Sequence, residues 1–437
     1  MSNFPYSREI DEFLLQTGMH PDLIDMAWQT DAFRKEIRLG LRDNASSLPM
    51  LPTYLTTDGS LPQNEPVLVI DAGGTNLRLA RVTFMEGSDP RIESLYQGKM
   101  PGSSHPLTRE EYLNEMVEIL KPHLNGDTLI GYCFSYEAAI TPGHDGILSN
   151  FNKGVQVEGT NGMRVCATLE AALRKAEVAG RRDWVLLNDS TAAACGALNK
   201  LASGKYSGAL GFVLGTGTNT CYPEQTARIS RYPVEKKKGH MLINAETGAY
   251  AHFPRGEADR LLDQADPLPG NHLYEKMVGG VYMGRLICLT ARSAAQRGQF
   301  SQAFRSRIAA CETLRSVDID AFVKDPQGDS LPAALCANDT DRQSLLTIAA
   351  RLYERAAKLV TINLTAVLEE AGLGKDPSQP ALIAAEGSSF WKASLFLPAL
   401  TKTMEQFTAK ERGIAFEITS VPHANLVGSA AAALLNR

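Results

Sequence analysis

Short apolar runs that stop at turn residues punctuate this chain. Val67-Leu68-Val69-Ile70 stops at Asp71, Thr128-Leu129-Ile130-Gly131-Tyr132-Cys133-Phe134 at Ser135, and Trp184-Val185-Leu186-Leu187 at Asn188-Asp189. Residues 209–214 stop at Gly215, Met241-Leu242-Ile243-Asn244 leads to Glu246, and residues 381–385 run into Glu386-Gly387-Ser388-Ser389. Runs of this length, bounded by turn formers, predict buried strands. Residues 416–419 predict one more near the C-terminus.

Helical spacing fills the intervals. Phe33, Ile37 and Leu41 repeat along one face in an N-terminal region that starts a helix near Pro21-Asp22 and continues through Leu23, Ile24 and Trp28. Tyr112, Met116, Ile119 and Leu120 form a second stripe over residues 108–123. Further helices are predicted at 166–177, in the alanine-rich stretch after Asp189 capped by Ser190 or Thr191, at 271–290, at 343–371 and from about Asn425. The stretch 136–162 reads as a polar loop. Strands alternating with helices predict an α/β protein.

Two hairpin tips are alike. Asp71-Ala72-Gly73-Gly74-Thr75-Asn76 follows the first run, and Gly215-Thr216-Gly217-Thr218-Asn219 follows the fourth. Glycine reaches positive φ without strain, so each pair of strands turns tightly and exposes backbone N–H groups against which an anion can sit. Asp71 is placed to hold a hydrated metal ion, and Arg78 follows. The repeat suggests a duplicated unit with two phosphate-facing turns across a cleft. On these segments alone an ordinary polar hairpin stays open. Asp189 sits at the carboxyl end of a buried strand, the usual ligand edge of an α/β sheet, although capping its helix is an equal alternative. Lys153, in Asn150-Phe151-Asn152-Lys153-Gly154, would by itself be a surface lysine.

Composition narrows the field. The chain has 437 residues, enough for two or three domains, with 44% hydrophobic and 21% charged residues. A net charge of -5 disfavours a nucleic-acid or anionic-membrane partner. Lys236-Lys237-Lys238 is the main basic cluster and reads as a solvated loop. The seven cysteines form no C-x-x-C pair, and no zinc-type spacing occurs. Reduced thiols, an acidic N-terminus without an apolar leader, and no apolar run near the roughly 18 residues of a membrane span predict a cytoplasmic protein.

With these pieces placed, the chain resembles the hexokinase family along most of its length. The resemblance is carried by LPTY (51–54), DAGGTNLR (71–78), NFNKG (150–154), LLNDSTAA (186–193), GTGTNTCY (215–222), INAETGAY (243–250) and YEKMVGGVYMG (274–284), in the family's order. It implies a two-lobed actin-like ATPase (ribonuclease H-like) fold around a cleft. Residues 1–60 and 190–421 would form the large lobe, and residues 61–189 with the C-terminal helix of 422–437 the small one. It also implies ATP- and Mg²⁺-dependent phosphorylation of a hexose at the 6-hydroxyl. Asp189 would take the proton of the sugar hydroxyl, and Lys153 would stabilise the transferring phosphoryl group. Ser135, Asn152, Lys153, Asn188, Asp189, Asn219, Glu246 and Glu275 would bind the sugar. Asp71 (through water to the metal), Gly73, Gly74, Thr75, Asn76 and Arg78 would face the metal–phosphate end. Gly215 and Thr216 would lie opposite, with Gly387 and Ser388 on the nucleotide side.

Three departures bear on sugar choice. Asn152 replaces the threonine that usually precedes the loop lysine, Tyr136 replaces the proline that usually follows the serine at Ser135, and Thr247 replaces a common tryptophan after Glu246. A fourth concerns the nucleotide. The family's glycine-rich G-S-G-x-G turn is largely missing from Pro422-His423-Ala424-Asn425-Leu426-Val427-Gly428-Ser429-Ala430, where only Gly428 and the following alanines match. Bulk at Leu426 and Val427 is expected to reshape the adenosine end and loosen base selection, with Asn425 or Ser429 capping the last helix. The alternatives are a kinase for mannose, fructose or an amino sugar, and a non-catalytic sugar-binding regulator, which would have no need to keep Asp189 and Lys153. A DNA-binding repressor is disfavoured, since no additional helix-turn-helix segment is visible. Oligomeric state is not legible.

Overall fold

The computed structural model describes residues 6–201, 204–234 and 239–437. The triple-lysine run therefore lies outside the described residues. In chain order the strands are β1 (Leu51–Pro52), β2 (Pro66–Gly73), β3 (Asn76–Thr83), β4 (Arg91–Lys99), β5 (Leu107–Thr108), β6 (Thr128–Phe134), β7 (Glu137–Ile140) and β8 (Gly146–Asn150). They continue with β9 (Val157–Glu158), β10 (Arg182–Leu187), β11 (Gly208–Leu214), β12 (Thr218–Gln225), β13 (His240–Asn244), β14 (Ala381–Glu386) and β15 (Phe416–Thr419).

The sheet orders carry the duplication. One sheet runs β10-β6-β2-β3-β4 and the other β1-β13-β12-β11-β14-β15. In each, a hairpin strand pairs antiparallel with the next, and two later strands add in parallel on its other side: β2 with β3 then β6 and β10, and β11 with β12 then β14 and β15. The tips differ by one residue. Gly73 pairs with Asn76 around Gly74-Thr75, whereas Leu214 pairs with Thr218 around Gly215-Thr216-Gly217.

Two helices, Asp189–Gly196 and Ala424–Leu435, are packed between the sheets. Small residues make this possible. A Cβ on Gly131 of β6 would lie 2.3 Å from the Ser429 carbonyl, and one on Gly211 of β11 would lie 2.3 Å from that of Ser190. A Cβ on Gly428 would lie 1.8 Å from the Ala192 carbonyl. Gly428 therefore serves helix crossing. Val67, Val69, Cys133, Leu187, Ala192, Cys221, Leu242, Leu426 and Val427 share one buried cluster in this layer. The bulk of Leu426 and Val427 is thus spent in the core and not on the adenosine end. The N-terminal helices Arg8–Gln16 and Met26–Gly40 pack on the long helix Asp339–Ala371 beside the six-stranded sheet.

Several sequence expectations change. Pro21 starts only a 3₁₀ turn; the helix begins at Met26 because the Asp25 side chain accepts the Trp28 N–H. Phe33, Ile37 and Leu41 are buried as expected, while Leu23 and Trp28 are exposed. The stretch 136–162 holds the β7–β8 hairpin and is not one open loop. The helix of 271–290 is broken at Gly279 into Leu273–Val278 and Gly280–Gln296. The break lets the Gly280 N–H reach the Gly215 carbonyl at 2.8 Å, where a Cβ would collide with Gly215 and Ser389. Asn188, and neither Ser190 nor Thr191, caps the helix that opens at Asp189. Neither Asn425 nor Ser429 caps the last helix, whose cap position is His423 without a side-chain bond. Among the described residues no helix is long and apolar enough to cross a membrane.

Candidate active site

Asp71 lies two residues before the end of β2, opposite Arg78 on β3, and is 2% exposed. Its Oδ2 accepts Arg78 Nε at 2.9 Å and also Arg78 Nη2. Its Oδ1 accepts Asn425 Nδ2 at 3.1 Å. Beyond it, Gly74 has φ 64, the left-handed conformation that a two-residue hairpin turn needs. Asn76, on the far side of the turn, is exposed. The tip meets the lysine loop: a Cβ on Gly74 would lie 3.8 Å from Lys153 Cβ, and one on Gly154 would lie 3.3 Å from Thr75 Cγ2. Tyr136 braces the tip by donating its hydroxyl to the Gly74 carbonyl and stacking edge-on against Phe134 and Phe151.

Lys153 is exposed, with φ 53, and makes no ion pair among the described residues. Asn152 beside it is exposed too, and its carbonyl accepts the Val155 N–H. Ser135 is nearly buried and donates its N–H to the Ala72 carbonyl at 3.1 Å, which sets it beside the end of β2.

Asp71, Cys133 and Leu187 stand abreast on three parallel strands. Asn188 and Asp189 follow at the open edge and are half-buried. Each offers its Oδ1 to the Ser190 N–H at 2.8 Å. Asp189 thus takes part in the helix start, but Asn188 performs that role beside it, which leaves the aspartate's second oxygen unused by the cap. Burial pushes the Cys133 thiol well up, and the negative charges of Asp71 and Asp189 push the same way; Lys153 opposes them. The four groups therefore share one electrostatic neighbourhood.

The second sheet supplies the other wall. Asn219 Nδ2 donates to Asn244 Oδ1 at 2.7 Å and to Glu246 Oε1 at 3.1 Å, and Asn244 Nδ2 donates to Glu246 Oε1 at 2.7 Å. Ser190 Oγ lies 2.7 Å from Asn188 Oδ1 and 3.1 Å from Asn244 Oδ1, which joins the two walls at the Asp189 helix. Burial raises the Glu246 carboxyl above its usual value; the Asn244 bond opposes the shift, while the charges of Asp189 and Glu275 add to it. Glu275 Oε2 accepts the Thr218 N–H at 3.0 Å, in space kept free by Gly217, whose Cβ would lie 2.1 Å away.

At the remaining corner, the Gly215 carbonyl accepts the Ser389 hydroxyl at 2.9 Å as well as the Gly280 N–H. Gly387 has φ 113 and passes the Leu214 carbonyl so closely that a Cβ would sit 2.2 Å from it. Thr216 and Ser388 are exposed there. No hydrogen bond joins this corner to the Gly73–Asn76 turn among the described residues.

Asn244 and Asn425 were not legible as site residues, and Tyr136 stood out only as a departure from the proline that usually follows Ser135. Asn244 reads as the polar end of a strand and Asn425 as the start of a helix; only tertiary packing gives each its carboxylate partner. An asparagine closing an apolar run was the available signal for Asn244.

A family model described as Hexokinase matches residues 209–435, and a second with the same description matches residues 10–197. Hexokinase-3 of Rattus norvegicus is 30% identical over 358 residues, which cover 77% of this chain and 38% of that protein. The chain therefore spans well under half of that relative's length. Hexokinase-1 of Schizosaccharomyces pombe is 26% identical over 88% of this chain and 82% of its own length. Among solved structures, a hexokinase from Schistosoma mansoni complexed with glucose superposes with TM-score 0.77 at 22% identity, over 98% of this chain and 99% of that one. A second structure titled as a hexokinase gives TM-score 0.73 at 17% identity, over 99% of this chain and 97% of that one. At these identities the structural likeness speaks for the fold, the actin-like two-sheet architecture described above.

Proposed function

The chain belongs to the hexokinase family, and on that premise we propose that it transfers the γ-phosphoryl group of ATP to the 6-hydroxyl of glucose or a related hexose. The observation that carries this reading is that the Asp71–Cys133–Leu187 register sets Asp189 beside the turn that meets the Lys153 loop, while Ser190 Oγ ties Asn188 to Asn244, the partner of Glu246. Sugar hydroxyls need many acceptors and donors at once. Asn188, Asn219, Glu246 and Glu275 offer them from fixed backbones, with Ser135 and Asn152 completing the set. Asp189 accepts the proton of the 6-hydroxyl as its oxygen attacks phosphorus, which makes a poor nucleophile competent. Lys153 places its ammonium where charge grows on the transferring group.

Asp71 fits the metal–phosphate end of such a site. It is a buried carboxylate beside a turn with bare glycine backbone. Among the described residues no group of three or more His, Cys, Asp or Glu side chains would hold a metal by itself. Mg²⁺ in kinases needs no such cage, since one or two carboxylates and the substrate phosphates suffice. Bound there with Asp71 reaching it through water, Mg²⁺ would neutralise phosphate charge. Gly73, Gly74, Thr75 and Arg78 on one lobe, and Gly215 and Thr216 on the other, then cradle the phosphates. Gly387 and Ser388 lie on the nucleoside side. The lobes proposed to close on the substrates are 61–189 with 422–437, and 1–60 with 190–421.

The test is a coupled ADP-release assay with ATP and Mg²⁺ across glucose, mannose, fructose and glucosamine. ADP release that depends on one of these sugars supports the reading. Its absence for every sugar, in protein whose calorimetry shows sugar binding, would favour a sugar-binding regulator instead.

A further inference from the structure

Asp71 is held from two directions. Arg78, its cross-strand partner, takes Oδ2 with both Nε and Nη2. Asn425, 354 residues later in the chain, takes Oδ1 through Nδ2. Arg78 grips one oxygen only, and the Cys133 thiol lies beside the carboxylate. The Asn425 bond, on the other oxygen, fixes its tilt about the last torsion.

Asn425 is itself anchored. It lies in the first turn of the Ala424–Leu435 helix, and its side chain does not cap that helix. Further along, Gly428 rides on the Ala192 carbonyl and the Ser429 carbonyl rides on Gly131. Neither contact leaves room for sliding. The amide is therefore fixed relative to β6 and to the helix that opens at Asp189. An amide also adds no charge to the Asp71–Arg78 pair, so the carboxylate is oriented without being further neutralised.

We infer that Asn425 is a positioning residue that aims the Asp71 carboxylate at the metal-bearing phosphate end of the nucleotide and locks that carboxylate to the Asp189 helix. The inference rests on the proposed reading of the β2–β3 turn as the metal–phosphate site. It assigns Asn425 an effect on metal-loaded nucleotide that it does not have on nucleotide alone or on sugar.

Calorimetry on the full chain, without turnover, separates these effects. Mg²⁺-ADP, ADP with excess chelator, and glucose are titrated into the wild type, Asn425→Ala and Asn425→Asp. Losing one hydrogen bond to a charged group should weaken Mg²⁺-ADP binding about tenfold in Asn425→Ala. Metal-free ADP and glucose should stay within about twofold, the size of an effect too small to count as a lost bond. Asn425→Asp keeps the size of the side chain but loses the donor and faces Asp71 with a like charge, so it should weaken Mg²⁺-ADP at least as much. Equal weakening of Mg²⁺-ADP and metal-free ADP, or no weakening of either, would overturn the positioning role and leave the nucleotide site standing. Tighter Mg²⁺-ADP binding in Asn425→Asp would overturn it too. A wild type that binds glucose but neither form of ADP would overturn the nucleotide reading and this inference with it.

Discussion

Gly428 crosses Ala192 with no side chain between the two helices: a Cβ at Gly428 would lie 1.8 Å from the Ala192 carbonyl oxygen. The obstacle is backbone, so nothing flexible can give way. Gly428→Ala must push the C-terminal helix off the one that carries Asp189. Overpacking of this kind costs about 1–3 kcal/mol, occasionally more. We expect a stability loss at the upper end of that range by chemical denaturation, together with reduced kcat. Stability equal to wild type in Gly428→Ala would show that the helices have slack here.

Asp189→Ala and Asp189→Asn separate catalysis from capping. Asparagine keeps an Oδ1 that can accept the Ser190 N–H, the contact Asp189 makes at 2.8 Å. It cannot accept a proton from a hydroxyl. Both variants should fold and both should lose about 10²-fold or more in kcat, the scale of a positioned base. Wild-type turnover in Asp189→Asn would reduce the residue to a helix start.

Glu246 gives a prediction with a pH signature. Its carboxyl is raised by burial, against the Asn244 bond and with help from Asp189. A carboxyl raised on folding binds more protons in the folded than in the unfolded state. It therefore lowers stability as pH rises from the ordinary glutamate value through the folded one. Glu246→Gln should be more stable than wild type at neutral pH, and the difference should vanish below the ordinary carboxylate range. The same change should weaken sugar binding about tenfold, because a charge-assisted bond to a hydroxyl is roughly twice as strong as a neutral one. Thermal melts at pH 4 and 7, with sugar KM alongside, check both halves. A Glu246→Gln protein less stable at pH 7 than wild type would show that the charge is fully compensated.

Much of this was readable because the key residues end apolar runs. Asp71, Ser135, Asp189 and Gly215 each stand just past an apolar run whose burial its own residues announce. The duplication was visible in two hairpin tips and is present in two matching strand orders. What was hidden depends on contacts between distant segments. Nothing near Asn425 points to Asp71, and nothing near Gly428 points to Ala192. The β7–β8 hairpin escaped notice because Glu137-Ala138-Ala139-Ile140 carries little strand propensity and is only half-buried. The helix break at Gly279 is dictated by the Gly215 turn, which lies in another part of the chain.

The nucleoside end yields the last prediction. Pro422 and His423, both exposed, precede the final helix. His423 adopts φ 55, a left-handed conformation that glycine takes without strain and histidine rarely does. Leu426, Val427 and Gly428 are turned into the core between the sheets, so they contact no base. Thr216 and Ser388 beside the Gly215 turn, and Pro422 and His423 before the last helix, are exposed and come from separate segments. A site discriminates strongly only where buried polar groups are built to pair with one partner and are left unpaired by another. Exposed groups impose no such penalty, because water satisfies them when the base changes. The two glycine turns proposed to hold the phosphates keep their pattern, and a phosphate contact reads no base. GTP and ITP should therefore support phosphorylation at kcat/KM within about tenfold of ATP, a difference of about 1.4 kcal/mol. Steady-state kinetics with a donor panel at saturating sugar measures this. A preference for ATP of about 10²-fold or more, roughly 2.7 kcal/mol, would mean that a segment other than these supplies a buried adenine pocket.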